Sequence, residues 1–249
     1  MDVGYKTDRG LKRMKNEESF LVRTDRCIFA VADGVGGNNS GEVASKTAAD
    51  EISRYVDSFV VPPSTDDDAL KAFFGKCMVD VNSRILNLSS SNSDYNGMAT
   101  TLVLLYIDRE SRRAYFLNVG DSRAYILRGK TFRQITEDHT YVNTLVKAGL
   151  ISKEEAAHHE NKNMITKAIG AEYRIEPDFF KTDVVPGDII LLCTDGLYGE
   201  VSEEKIVNEL HRSDSMQCIC DRLVKEAVTN GGNDNITVLA VKVTEEDFR

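Results

Sequence analysis

Cys27-Ile28-Phe29-Ala30-Val31-Ala32-Asp33-Gly34-Val35-Gly36-Gly37 is a short apolar run that ends in a carboxylate and a glycine-rich turn. Its length and composition read as a buried strand that delivers Asp33 to the rim of a core, where a charge is costly without a partner. The glycines let main chain pass close to whatever occupies that rim. Taken alone, the same pattern also describes an ordinary strand closed by an Asp-Gly turn.

The chain repeats the device. Asp188-Ile189-Ile190-Leu191-Leu192-Cys193-Thr194-Asp195-Gly196 is again apolar strand, Asp, Gly, and Ala114 to Val119 runs into Gly120-Asp121-Ser122. Gly231-Gly232-Asn233-Asp234-Asn235 leads into Ile236 to Val241, so Asp234 stands at the start of a strand. Four aspartates at strand ends are positioned to converge at one edge of a core. Converging carboxylates repel, and a divalent cation relieves the repulsion. Oxygen-only ligands select hard ions, Mg²⁺ or Mn²⁺, over zinc.

The 249 residues suit one large domain or two small ones, and no repeat, linker or low-complexity tract divides them. With 41% hydrophobic and 29% charged residues the composition is that of a globular protein with a sizeable core. The apolar runs are strand-length, too short for a bilayer span, and the first residues lack the apolar stretch of a signal peptide, so no membrane role and a cytoplasmic location are expected. A net charge of −9 argues against nucleic acid as partner. The five cysteines show no paired framework and read as packing thiols in a reducing compartment.

Along the chain, residues 1–37 read as two strands with a turn. A helix capped by Ser40 runs to about Phe59, a second carries Leu70, Phe74, Cys77, Met78, Val81 and Ile85 on one face, and Ser89 to Asn96 reads as a polar loop. The strands Leu102–Ile107, Ala114–Val119 and Ala124–Leu127 are joined by such short turns that antiparallel neighbours are expected throughout. Residues 140–165 are charged and read as a flap over the surface beside the site. Helices near Glu203–Leu210 and Met216–Val228 and a last strand from Ile236 to Val243 follow, and the acidic tail Glu245-Glu246-Asp247 reads as solvated.

Six motifs occur in order: Arg13-x-x-Asn16-Glu17, Asp33-Gly34-x-Gly36-Gly37, Gly97-x-x-Thr100-Thr101, Gly120-Asp121-Ser122-Arg123, Asp195-Gly196-Leu197 and Gly232-x-Asp234-Asn235-x-Thr237-Val238. Together they resemble the metal-dependent type 2C protein serine/threonine phosphatases, the PPM family, in their compact bacterial form. The likeness covers essentially the whole chain. It implies an α+β fold, a four-layer α-β-β-α sandwich of two antiparallel sheets flanked by helix pairs, and a single catalytic domain over residues 1–249. It also implies two Mn²⁺ or Mg²⁺ ions bridged by Asp33, with the Gly34 carbonyl on one of them. Asp195 and Asp234 would complete the first site, Glu17 would act at the second through water, and Asp121 with Asp195 would form a weaker third. Arg13 would hold the substrate phosphate as a planar fork, and water activated between the metals would attack phosphorus without a covalent intermediate.

The chain departs from the family's pattern twice. Asn38 stands where compact relatives usually carry His, a candidate proton donor, and Asn cannot supply a proton. Glu18 stands where the family prefers Asp, behind the ligands with Asn235, and is one methylene longer. Among the histidines, His158 and His159 read as solvated and His139 has no assigned role. The expected activity is hydrolysis of phosphoserine and phosphothreonine on proteins by a monomer that opposes a serine/threonine kinase. The alternatives are a pseudophosphatase binding module and an enzyme dedicated to one phosphorylated regulator.

Overall fold

Three apolar layers follow from strand alternation. In β3 (Ile28–Val35), Ile28, Ala30 and Ala32 face one way while Phe29 and Val31 face the other, and both sets are buried. A strand covered on both faces needs a partner layer on each side. The computed structural model of the chain, which describes residues 1–35, 40–63 and 66–248, supplies both.

One sheet has the order β2 (Glu18–Arg23), β3, β5 (Leu102–Asp108), β6 (Arg113–Val119), β9 (Asp178–Asp183), with the short β4 (Ala99–Thr100) paired to β3. The other has the order β1 (Asp2–Asp8), β11 (Ile236–Lys242), β10 (Ile189–Cys193), β7 (Arg123–Arg128), β8 (Thr131–Gln134). Every ladder among the described residues is antiparallel. Phe29, Val31, Val103, Leu105 and Phe116 of the first sheet meet Ile126, Ile190, Leu192, Leu239 and Val241 of the second in the middle layer. Outside the first sheet lie α1 (Gly41–Ser58) and α2 (Asp67–Ser91), whose Ile52, Phe74, Met78 and Ile85 cover Ile28, Ala30 and Leu104. Outside the second lie α5 (Asp195–Tyr198), α6 (Glu203–Leu210) and α7 (Met216–Asn230), packed on Leu191, Val238 and Ala240. The four layers are those expected. Between β8 and β9 the chain leaves at Thr140, forms α3 (Tyr141–Lys147) and α4 (Lys153–His158), and returns at Ile165, which bridges Thr140.

Several local expectations are corrected. Residues 1–35 hold three strands, and β1 belongs to the opposite sheet from β2 and β3. The hairpin β5–β6 is paired as expected, but the tight turn after β6 does not make β7 its neighbour; Gly120–Ser122 carries the chain from one sheet to the other. Ser40 precedes α1 without capping it by its side chain, because its hydroxyl donates to the Asp94 carbonyl at 2.6 Å. Residues 89–91 continue α2, and Ser93–Tyr95 form one 3-10 turn. Four cysteines are buried, but Cys218 is exposed. Asp247 is not solvated: it is buried, accepts from Thr244 and pairs with the N-terminal ammonium at 2.5 Å. No helix among the described residues is long and apolar enough to cross a membrane.

Candidate active site

Strand parity that fills the middle layer with apolar side chains puts polar ones at its end. Asp33 continues the Phe29–Val31 side of β3, and Glu18 is its register partner on β2. From the other sheet, Thr237 continues the Leu239–Val241 side of β11, and Thr194 follows the buried end of β10. Asp195 is the next residue, opening α5. Oxygens of Glu18, Asp33 and Asp195 therefore lie within 4.8 Å of one another, in the mouth of the gap between the sheets.

The main chain holds this mouth tightly. Asp33 N–H donates to Thr101 Oγ1 at 3.1 Å, and its carbonyl accepts from Thr101 N–H at 2.8 Å and Thr100 Oγ1 at 2.9 Å. Gly34 lies so close to α1 that a Cβ there would stand 2.1 Å from the Gly41 carbonyl oxygen. Asp121 occupies the turn that crosses between sheets, with its carbonyl accepting from Tyr198 Oη at 3.0 Å. Asp234, just before β11, accepts from Arg13 Nη2 at 2.6 Å, so the expected phosphate fork and an expected metal ligand form an ion pair at the rim. Asn235 grips both sides of the Arg13 loop: its Nδ2 donates to the carbonyls of Arg9 and Lys15, and its Oδ1 accepts from Glu17 N–H, each at 2.9 Å. Glu17 stands outside the three-carboxylate cluster, beside Glu42 and the Gly41 N–H at the start of α1. Asn38 lies outside the described residues.

Burial and mutual repulsion push the carboxylates toward their neutral forms. Desolvation first, then the charges of Glu18, Asp195, Asp121 and Asp234, holds Asp33 well above the ordinary aspartate range. Burial raises Glu18 to about 8, against the donated bond from Thr237, and Asp195 to about 7 with help from Asp121 and Asp234. Asp121 rises to about 6, through burial and then Asp138. Oδ1 of Asp195 and Oε1 of Glu18 are buried without a hydrogen-bond partner.

The sequence profile of the protein phosphatase 2C family matches residues 16–236. This chain belongs to the protein phosphatase 2C family. It is 36% identical over 245 residues, 97% of this chain and 96% of its relative, to the serine/threonine phosphatase stp of Listeria welshimeri. The solved structure of the serine/threonine phosphatase Stp1 from Staphylococcus aureus matches with a TM-score of 0.89 at 31% identity, covering 97% of this chain and 94% of that one. The catalytic domain of the phosphatase PstP, solved in complex with two manganese ions, matches with a TM-score of 0.84 at 34% identity over 98% of each chain.

A metal-dependent family requires a cradle for hard cations, and the phosphatase has residues that fit one. The donors are all oxygen, two buried carboxylate oxygens lack partners, and a bound cation would relieve the crowding of the carboxylates. Other contributors were not legible as site residues. Arg123 lies 3.6 Å over the Tyr198 ring and donates to Asp138 three times, at 2.6 to 3.0 Å, which ties the Asp121 turn to the root of the 140–165 excursion. His139, left without a role from sequence, clamps the same turn. Its N–H donates to the Gly120 carbonyl at 2.9 Å and its Nδ1 accepts from Gly120 N–H at 3.0 Å. The signal in sequence was Arg123 within its motif; for His139 there was none.

The raised carboxylates fix the pH response of the phosphatase stripped of cations. Asp121, Asp195 and Glu18 bind protons more tightly folded, near 6 to 8, than unfolded, near 4. The native state thus holds more protons across this window, and stability falls as pH rises through it. In chelator, thermal unfolding should shift to lower temperature from pH 5 to pH 8, and Mn²⁺ should reverse the shift at pH 8. A melting temperature that rises with pH in chelator would contradict the assignment.

Proposed function

We propose that this phosphatase hydrolyses phosphoserine and phosphothreonine on proteins with Mn²⁺ or Mg²⁺ as cofactor, and that residues 1–249 act as one catalytic domain. The observation that carries this reading is the close-set trio of carboxylates from three different elements, two of them with an unpartnered buried oxygen. Asp33 would bridge two ions, the Gly34 carbonyl would join one, and Asp195 and Asp234 would complete the first site. Glu17 would act at the second through water, and Asp121 with Asp195 would hold a weaker third ion. When bound, the ions supply Lewis acidity at the phosphoryl oxygens and an acidified water as nucleophile.

The chain's own residues do the rest. Arg13 presents a half-exposed guanidinium at the mouth, on a loop pinned by Asn235, where its planar fork suits two phosphoryl oxygens. A groove of about 890 Å³ runs from Asp121, Asp195 and Asp234 toward Thr140, Asn143, Lys153 and Lys162 of the excursion, room for the peptide that flanks a phosphoresidue. Its lining is itself acidic, with Asp121, Glu137, Asp138, Asp195, Glu200 and Asp234 against Arg123, Lys153 and Lys162, so bound cations would have to reverse the local potential for an anionic substrate. Its substrates would be products of a serine/threonine kinase, met in the reducing cytoplasm where its free thiols persist.

The test is release of phosphate from a phosphothreonine peptide across Mn²⁺ and Mg²⁺ titrations. Metal-dependent turnover is expected; none at any metal concentration from folded protein would overturn the reading. Arg13→Ala should raise KM for the peptide about tenfold with a smaller fall in kcat, and Arg13→Lys should recover only part, because a point charge replaces a two-pronged donor. Equal kinetics for all three proteins would remove Arg13 from phosphate binding.

A further inference from the structure

Glu18 is held differently from a residue that merely orients water. Its backbone N–H donates to Asn16 Oδ1 at 3.2 Å, and β2 pairs it directly with Asp33. Its Oε2 ends a relay of donors. Asn16 Nδ2 donates to Thr7 Oγ1 at 2.8 Å, Thr7 Oγ1 and Thr237 Oγ1 are 2.8 Å apart, and Thr237 Oγ1 donates to Glu18 Oε2 at 2.6 Å. Each hydroxyl has one hydrogen, so with Thr237 spent on Glu18 the Thr7 hydroxyl must be the donor to Thr237. The relay fixes one carboxylate oxygen.

The other oxygen, Oε1, is buried and has no hydrogen-bond partner, in a side chain whose residue is 7% exposed. Glu18 supplies one carboxylate oxygen to the trio with Asp33 and Asp195. A buried carboxylate oxygen left unpaired is expensive, and two further carboxylates beside it increase the cost. A cation in contact with Oε1 removes both penalties, whereas an intervening water would need further polar partners of its own.

The geometry points to Glu18 as a direct metal ligand of this chain, its Oε1 entering the coordination sphere shared with Asp33 and Asp195. A glutamate at this position reaches about 1.5 Å further into the gap than an aspartate would. The inference rests on the metal-dependent reading above and adds Glu18 to the ligands that reading names.

Anomalous diffraction at the manganese edge from Mn²⁺-loaded crystals of the intact chain, with calorimetric Mn²⁺ titration of wild type, Glu18→Asp and Glu18→Gln, separates the two. Direct ligation expects Glu18 Oε1 about 2.1 Å from an ion. It also expects Glu18→Asp, which keeps the charge and loses only reach, to weaken one Mn²⁺-binding event about tenfold or more while a water replaces the carboxylate on the ion. Glu18→Gln should weaken the same event further. An ion separated from Oε1 by water, or Glu18→Asp binding within twofold of wild type, overturns the inference and leaves the metal centre standing. No Mn²⁺ bound by wild type at millimolar concentration sinks the metal-dependent reading itself. Should Glu18→Gln fail to fold, the wild-type ion position and Glu18→Asp still decide.

Discussion

Asp33→Asn should give a folded protein that releases phosphate from a phosphothreonine peptide at least about 10³-fold more slowly than wild type, since the Lewis-acid contribution that Asp33 would anchor, as proposed, is worth several kcal/mol. The fold should survive because the bonds that seat this residue's main chain, to Thr100 and Thr101, do not involve its carboxylate. The amide matches the carboxylate in shape, removes a charge that desolvation and four neighbouring carboxylates oppose, and cannot bridge two cations. In chelator at pH 8 the variant should therefore melt higher than wild type, and added Mn²⁺ should raise it less. Stability gained and activity lost in one substitution is the signature of a site whose strain serves its chemistry. A variant that retains turnover within tenfold would show that Asp33 holds no essential ion; one that melts lower in chelator would show that its charge is not under strain.

The layers were legible because they depend on local patterning. The runs at 28–32, 102–107 and 189–193 lack polar alternation, so both faces had to be covered, and the helical stripes of α1 and α2 supplied one cover. The turn at Gly120–Ser122 was misread because turn length constrains distance, not pairing; a strand can leave one sheet and enter the next within three residues when the sheets are stacked. Strand β9 escaped notice since Asp-Phe-Phe-Lys-Thr-Asp lies at a sheet edge, partly exposed, without apolar alternation. Four-residue α5 is too short for any period to appear, so no helix was expected at Asp195-Gly196. At the site, strand-end aspartates announced themselves by their glycines. The direction of Glu18 did not, because it follows from register with Asp33 and from Thr237, more than two hundred residues away. Asp247 looked solvated for the same reason: its partner is the other end of the chain.

Gly34→Ala should destabilise the protein by at least about 3 kcal/mol, the upper range for forcing atoms into a packed interior, and lower the melting temperature by about 6–12 °C for a chain of this size. The cause is contact, not backbone torsion. An added Cβ would lie 2.1 Å from the Gly41 carbonyl oxygen, 2.3 Å from its carbon and 2.5 Å from the Glu17 carbonyl oxygen, all main-chain atoms that no rotamer change can move. Relief requires α1 to retreat from β3 or β2 to part from it, which would break the Gly34 N–H to Glu17 carbonyl bond of 3.1 Å and displace Glu17. The same shift would turn the Gly34 carbonyl, so Mn²⁺ affinity should fall with stability. Gly75→Ala supplies the control. That glycine lies inside α2 with nothing within 4 Å of the added carbon, and alanine there should raise stability by about 1 kcal/mol through helix propensity alone. Thermal melts of the two variants with and without Mn²⁺ decide the matter: if Gly34→Ala melts and binds Mn²⁺ like wild type, the close approach of β3 to α1 is not what holds the mouth of the site.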